Sequence, residues 1–335
     1  MGRAQAQAGA EVIGARILGT GSALPDGRRS TVELARRALP ERDPVEVARK
    51  VGIDERRWLA PDEEAADLAA RALAQALDGA RLHARDLRRV IFVSSTGGDR
   101  LIPATANDLL ARLGLDDDCD AFDLNNSCAG FLSALDVAAR TVATGVHPVA
   151  VVAAESFSRY LSPSVPRSWL VLGDAAAAVV LGPSTESGLL ASHLRNSAEL
   201  RGMMATPHPG RTGRVEHLEF QASHEELLAS AILHMRRAAK RVLDEARLSL
   251  DDVRWFLPHQ PNGHMLDHIL ADFAIDRERA VDVVREAGSV GAASLALSLD
   301  RLLRTRPVRA GDRALLLGVG GGTAYGAILY QWGAR

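Results

Sequence analysis

The 335-residue sequence holds only two cysteines, Cys119 and Cys128. That is too few for a disulfide framework, and no CxxC pair of the zinc-binding kind occurs. Lysine is nearly missing: Lys50 and Lys240 are the only two, and both lie among polar neighbours. Lysine Schiff-base chemistry is therefore not expected. Net charge is almost absent, since 40 Lys+Arg stand against 42 Asp+Glu. The basic footprint of a nucleic-acid binder is thus excluded. No run of about 18 apolar residues appears, so no membrane span is expected. Met1 to Ala10 lacks the continuous apolar stretch of a signal peptide. Together these absences predict a cytoplasmic chain with no metal and with no nucleic-acid or membrane partner.

What is there is globular. Hydrophobic residues make up 47% and charged residues 24%, so the chain is not disordered. Its length suggests two domains or one two-part body. Strand-like apolar runs alternate with helical patterns, which predicts α/β layering. The expected strands are Val12–Leu18, Arg89–Ser94, Ala121–Leu124, Pro148–Ala153, Ala175–Leu181, Gly188–Ser192, Val253–Leu257, Val281–Val284, Arg313–Leu317 and Gly326–Gln331. The segment Pro207–Gly213 reads as a loop.

An internal repeat is visible. Leu77-Asp78-Gly79-Ala80-Arg81-Leu82 matches Leu243-Asp244-Glu245-Ala246-Arg247-Leu248, 166 residues on and close to half the chain. An amphipathic helix precedes each copy. Ala69, Ala72, Leu73, Ala76 and Leu77 form one stripe, and Leu228, Ile232, Met235, Ala239 and Val242 the other. A buried-type strand follows each. Two halves are expected, 11–183 and 184–335.

Cys128 follows a strand-like run and the polar turn Asn125-Asn126-Ser127, and a helix-forming stretch begins at Ala129. The thiol therefore sits at a helix N-terminus, where free N–H groups favour the thiolate and can hold an oxyanion. A buried packing cysteine is the other reading. Cys119 lies among Asp116, Asp117, Asp118 and Asp120, whose charge makes it a poor nucleophile. His259 ends the second repeat's strand, where open α/β sheets keep functional groups, though a surface or satisfied histidine is equally ordinary. Two glycine-rich stretches, Ala287–Ser294 and Leu317–Thr323, lack any phosphate-binding fingerprint. They read as close backbone approach to a ligand or as tight turns. Arg236, Arg237, Lys240 and Arg241 share one helical face, either solvated or docking an acidic partner.

Together these segments resemble the ketoacyl synthase III branch of the thiolase superfamily. The resemblance runs from about Arg16 to Trp332. It rests on Gly19–Pro25, Val51–Arg56, Ser127-Cys128-Ala129-Gly130-Phe131, Leu172–Ala177, Pro258-His259-Gln260-Pro261-Asn262 and Gly320–Gly326. It implies the five-layered αβαβα thiolase fold built from two duplicated halves. It also implies a homodimer and a pantetheine tunnel ending at Cys128. No tightly bound cofactor is implied; the substrate is an acyl thioester of carrier-protein phosphopantetheine or of coenzyme A. In such enzymes Cys takes the acyl group, and His with an Asn holds the enolate of a decarboxylating malonyl thioester.

Here Ser289 stands where that Asn is expected. A serine offers one short O–H donor, and losing one such donor costs about 2.7–4 kcal/mol. The expected activity is therefore acyl transfer through Cys128, with His259 as base and Ser289 orienting it or binding the acceptor. Gly320, Gly321 and Gly322 would serve the oxyanion. The acceptor would be a hydroxyl, amine or thiol in polyketide or antibiotic biosynthesis. A decarboxylative synthase and a catalytically silent partner subunit are the alternatives. His264 replaces the carrier-docking Arg, and Pro44–Ile53 lacks the adenine-packing Trp. A docking surface of Arg236, Arg237, Lys240, Arg241 and His264 would take acyl carrier protein. Leu101, Ile102, Trp169 and Asn262 are expected in the tunnel wall or the dimer contact.

Overall fold

The computed structural model describes residues 12–115 and 117–334. The expectations for Met1–Ala10 and for Asp116 lie outside the described residues. Ten strands form two five-stranded sheets: β1 (Ile13–Gly14), β2 (Arg16–Ala23), β3 (Arg89–Val93), β4 (Asp120–Leu124), β5 (Val149–Glu155), β6 (Ala175–Gly182), β7 (Gly188–Asn196), β8 (Trp255–Pro258), β9 (Arg313–Val319) and β10 (Ala324–Gln331). The first sheet runs β2-β6-β5-β3-β4 and the second β1-β7-β10-β9-β8. The strands β5, β3 and β4 are parallel neighbours, as are β8 and β9, and the remaining pairs are antiparallel.

Five long helices complete the layers: α1 (Ala65–Ala80), α2 (Gly130–Ala143), α3 (His224–Ala246), α4 (Gly263–Asp272) and α5 (Ala293–Thr305). Residues of α2 and α5 share one core with the facing sides of both sheets. The stripe of α1 packs on the outer face of the first sheet, and α3 with α4 on the outer face of the second. That order is αβαβα, the expected thiolase arrangement. Burial of such stripes, at about 25 cal/mol per Å² of apolar surface, is what holds the layers together. Close approach of α1 needs Gly19 and Gly21. A Cβ at Gly19 would lie 2.1 Å from the Ala76 carbonyl oxygen, and one at Gly21 2.3 Å from that of Ala72.

The repeat is real in three dimensions. Arg81 and Arg247 end α1 and α3 with identical left-handed backbones, φ 57 and ψ 41. Each N–H reaches back to the carbonyls of matching residues, Leu77 and Asp78 in one copy and Leu243 and Asp244 in the other. A short 3-10 turn and then a strand, β3 or β8, follow each.

One expected strand is absent. Val281–Val284 is irregular up to a short helix, Val284–Ala287. Its backbone is satisfied by a side chain instead of a neighbouring strand. Buried Gln260 donates to the Val281 carbonyl at 2.6 Å and accepts from the N–H groups of Val283 (3.0 Å) and Val284 (3.1 Å). The second sheet thus lacks a counterpart of β4, and β1 fills out its opposite edge. Within the expected loop Pro207–Gly213, residues Pro209–Thr212 make one helical turn.

Candidate active site

Cys128 stands where β4 turns into α2. Ser127 before it has φ 50, a left-handed value rare for a non-glycine residue. The turn is fixed by Asn125 Oδ1, which accepts from the Ser127 N–H at 3.0 Å, and by Ser127 O, which accepts from Gly130 N–H at 2.8 Å. This strained elbow presents the sulfur. The second glycine-rich stretch lies against it: a Cβ on Gly320 would sit 2.8 Å from the Cys128 nitrogen. The N–H groups of Gly321 and of Cys128 itself, and the Ser95 side chain, act on the sulfur in the direction that favours the thiolate.

These donors do not win. Burial, and then the negative charge of Glu155, push the thiol up to about 12. The helix N-terminus was expected to favour the thiolate; loss of solvent outweighs it, because a partial charge cannot replace full hydration. Cys128 therefore rests as a thiol. Its alkylation by iodoacetamide, read at the Cys128 peptide by mass spectrometry, is expected to rise about tenfold per pH unit up to about pH 10. A plateau near neutrality would contradict this.

Glu155 is a functional candidate that the sequence reading missed. It ends β5 after six apolar residues, and a carboxyl closing such a run is itself an anomaly. Ser95 N–H reaches both of its oxygens at 3.0 Å, Ser95 Oγ donates at 2.6 Å, Ala292 N–H at 2.8 Å and Ser94 Oγ at 3.3 Å. Burial still pushes it up to about 7. The folded chain therefore keeps a proton between about 4.5 and about 7 that the unfolded chain releases. The stability from this group is full below that window and is lost as pH rises through it. Glu155→Gln cannot ionise, so relative to the parent it should gain stability on going from about pH 5 to about pH 8. Urea midpoints at the two pH values measure this; an equal difference at both would refute it.

His259 directly follows β8, its N–H bonded to the Leu317 carbonyl at 2.7 Å. Its ring is buried, and Nδ1 has no hydrogen-bond partner among the described residues. Burial pushes it down to about 4, so the imidazole is neutral at physiological pH. Cys128, His259, Ser289, Asn262, Gly320 and Gly321 line one cavity of about 110 Å³. Gly322 belongs to the same turn, with φ 72, but does not line it. Ser289 is fixed by its backbone. Its N–H donates to Val171 O at 2.9 Å and its carbonyl accepts from Gly173 N–H at 3.0 Å. Gly288 before it holds φ 74, and a Cβ there would lie 2.8 Å from Arg56 Cβ. Asn262 also caps α4, accepting from Met265 N–H at 2.9 Å.

Other expected residues lie elsewhere. Trp169 does not line the cavity; it packs edge-on against Trp58 at 4.7 Å and donates to Leu34 O at 3.3 Å. Leu101 and Ile102 are 78% and 87% exposed, beyond the cavity wall. On α3, Arg236 pairs with Asp272 at 2.6 Å and Lys240 with Asp244 at 2.6 Å, while Arg237 and Arg241 are exposed. His264 is tied to the Arg49 carbonyl at 2.9 Å. The basic groups that do line the cavity are Arg167 and His224. Arg167 lies 4.7 Å over the Phe220 ring and donates to Ala222 O. Neither stood in a recognisable pattern, because the chain brings them together from residues far apart. Among the described residues there is no cluster of three or more His, Cys, Asp and Glu fit to hold a metal, and no helix long and apolar enough to cross a membrane.

Comparison with known proteins gives a consistent result. Residues 122–198 match the family model for 3-oxoacyl-[acyl-carrier-protein] synthase III, and residues 243–332 its C-terminal model. The chain is 37% identical to the 3-oxopimeloyl-[acyl-carrier-protein] synthase of Rhodothermus marinus, covering 95% of this chain and 94% of that protein. It is 31% identical to the beta-ketoacyl-[acyl-carrier-protein] synthase III of Neisseria gonorrhoeae, covering 95% and 99%. The crystal structure of the Pseudomonas aeruginosa 3-oxoacyl-(acyl carrier protein) synthase III superimposes with TM-score 0.86 at 30% identity, covering 96% of this chain and 99% of that one.

Proposed function

The chain belongs to the 3-oxoacyl-[acyl-carrier-protein] synthase III family, whose members transfer or condense acyl groups, and from that premise we propose that it is an acyltransferase. Cys128 attacks the carbonyl of an acyl thioester, its S–H proton passes to the departing pantetheine sulfur, and an acyl-enzyme forms. The N–H groups of Cys128 and Gly321 hold the oxyanion. Neutral His259 then takes the proton of a hydroxyl, amine or thiol acceptor as that atom attacks the acyl carbonyl, and returns it to the Cys128 sulfur, which leaves as the thiol.

The observation that carries this reading is the pairing of an intact Cys128 and His259 with a Ser289 whose backbone is bonded on both sides. A serine held in place by its main chain cannot move forward to cover the reach of an amide. Acylation needs no such group, whereas enolate formation does. Incubation with a panel of acyl thioesters should add acyl mass at Cys128, and malonyl thioesters should release no CO2. Robust CO2 release with a β-ketoacyl product would overturn the proposal in favour of a condensing enzyme, which the names of both relatives favour. A silent subunit would win if thiol alkylation left the activity of its complex intact.

The donor we propose is a carrier-bound phosphopantetheine. Arg167 brings positive charge to the cavity and His224 an imidazole that burial and Arg167 push toward the neutral form; together they suit the phosphate of that arm as cation and hydrogen-bond donor, and Arg167 is already stacked on Phe220. Acyl carrier protein, with Arg237 and Arg241 as free cations on α3, is the matching partner. We propose a cytoplasmic homodimer in which exposed Leu101 and Ile102 meet the second copy. The halves 11–183 and 184–335 carry nucleophile and base respectively. A natural-product pathway is the setting we propose for the acceptor.

A further inference from the structure

A second cavity, of about 300 Å³, shares the walls Phe157, Met204 and Gly321 with the first. Ser95, whose hydroxyl donates to Glu155 at 2.6 Å, and Ser127, next to Cys128 in the chain, bound it. Its volume suits a short acyl chain. The partition contains a methionine, whose unbranched side chain yields easily.

The two cavities differ in chemistry. In the first, the walls beside the sulfur are mostly apolar side chains. In the second, hydroxyls collect, and two of them are poorly used. Thr206 Oγ1 is buried with no hydrogen-bond partner among the described residues. Tyr160 reaches only the Thr96 carbonyl, at 3.5 Å. His208 Nδ1 accepts from Gly210 N–H at 3.0 Å, which places the proton of the neutral ring on Nε2 as a donor. No Lys or Arg lines the cavity, and the Asp99 charge acts on Tyr160. A carboxylate would meet repulsion there without a fixed counter-charge.

Resting on the acyltransferase reading, we propose that this second cavity holds the acyl chain and selects donors bearing an uncharged oxygen function, hydroxyl or keto, over plain alkanoyl groups. An alkyl chain would leave the buried Thr206 donor unpaired and Tyr160 with only its long bond to the Thr96 carbonyl, whereas an oxygen on the chain pairs both. Leaving one buried donor unpaired corresponds to roughly ten- to a hundred-fold in rate.

The test uses the full chain and matched pantetheine thioesters: butyryl with 3-hydroxybutyryl, hexanoyl with 5-hydroxyhexanoyl, and succinyl as the charged member. Second-order rates of Cys128 acylation are read by intact-protein mass spectrometry. In at least one pair the hydroxyacyl donor should be roughly ten- to a hundred-fold faster, with succinyl no faster than butyryl. Thr206→Val should remove about tenfold of that preference and leave the alkanoyl rate within about twofold; Tyr160→Phe is the second variant. Equal rates within both pairs, a preference for succinyl, or variants that slow both members of a pair alike would overturn the inference and leave the acyltransferase standing. No acylation by any donor would overturn both.

Discussion

Cys128→Ala should abolish covalent acylation and lower turnover by roughly 10⁴-fold or more. The size follows from geometry. The strained elbow at Ser127, the Gly320 backbone against the Cys128 nitrogen and the N–H of Gly321 all converge on one sulfur. Remove it, and the oxyanion donors have no tetrahedral centre to hold. What remains is binding of two substrates side by side. Fold stability should change little, because alanine fits the same elbow and the buried sulfur makes no ion pair. Mass spectrometry with any donor accepted by the parent is the measurement. Acyl mass persisting on the Cys128→Ala chain would move the nucleophile elsewhere, and Cys119 would be the place to look. Cys119 is a weak rival: burial and Asp120 push its thiol up as well, and it lies outside the cavity.

Ser289→Asn should raise decarboxylation of a malonyl thioester by roughly 10²–10³-fold. Residue 289 lines the cavity with His259, and its backbone is fixed by Val171 and Gly173. An asparagine there would project its amide N–H further than the serine hydroxyl, beside the neutral imidazole. Two donors could then share the charge of a developing enolate, where one does now. Such an effect acts on the enolate step alone, so the rate of Cys128 acylation should stay within a few-fold. Release of labelled CO2, measured beside acylation on the same preparation, separates the two. If the parent already releases CO2 as fast as the variant, the serine is no obstacle and the acyltransferase reading fails.

Much of the site is legible in the sequence. Cys128 follows a strand-like run and its turn, and His259 closes another such run, which is where an open α/β sheet exposes side chains. The glycines at 288 and 320 to 322 mark backbone approach, and two of them do meet Arg56 and the nucleophile's backbone. The repeat foretells two sheets of like build. Less legible is anything set by a single buried side chain. Gln260 reads as part of a motif around His259, yet its amide occupies the edge where a strand at Val281–Val284 was expected. Trp169 reads as a residue of the tunnel wall or the dimer contact; within the chain it packs against Trp58 and does not line the cavity. Glu155 leaves a faint mark, one acid closing an apolar strand.

The amino-acid order by itself pointed to α/β layers, to a duplication and to Cys128 and His259 as the candidate reacting pair. The layering and the duplication follow from periodicity and local turn chemistry, which act over a few residues, whereas the roles of the two side chains are what the family resemblance implies. The charge state of those side chains was decided only by tertiary structure. Proximity to a helix start predicts a thiolate, and an unperturbed histidine would be partly charged near neutrality. Enclosure strips water from both, leaving a protonated sulfur and a neutral ring. Hydration is lost to whatever packs around a group, and in this chain those neighbours come from both halves.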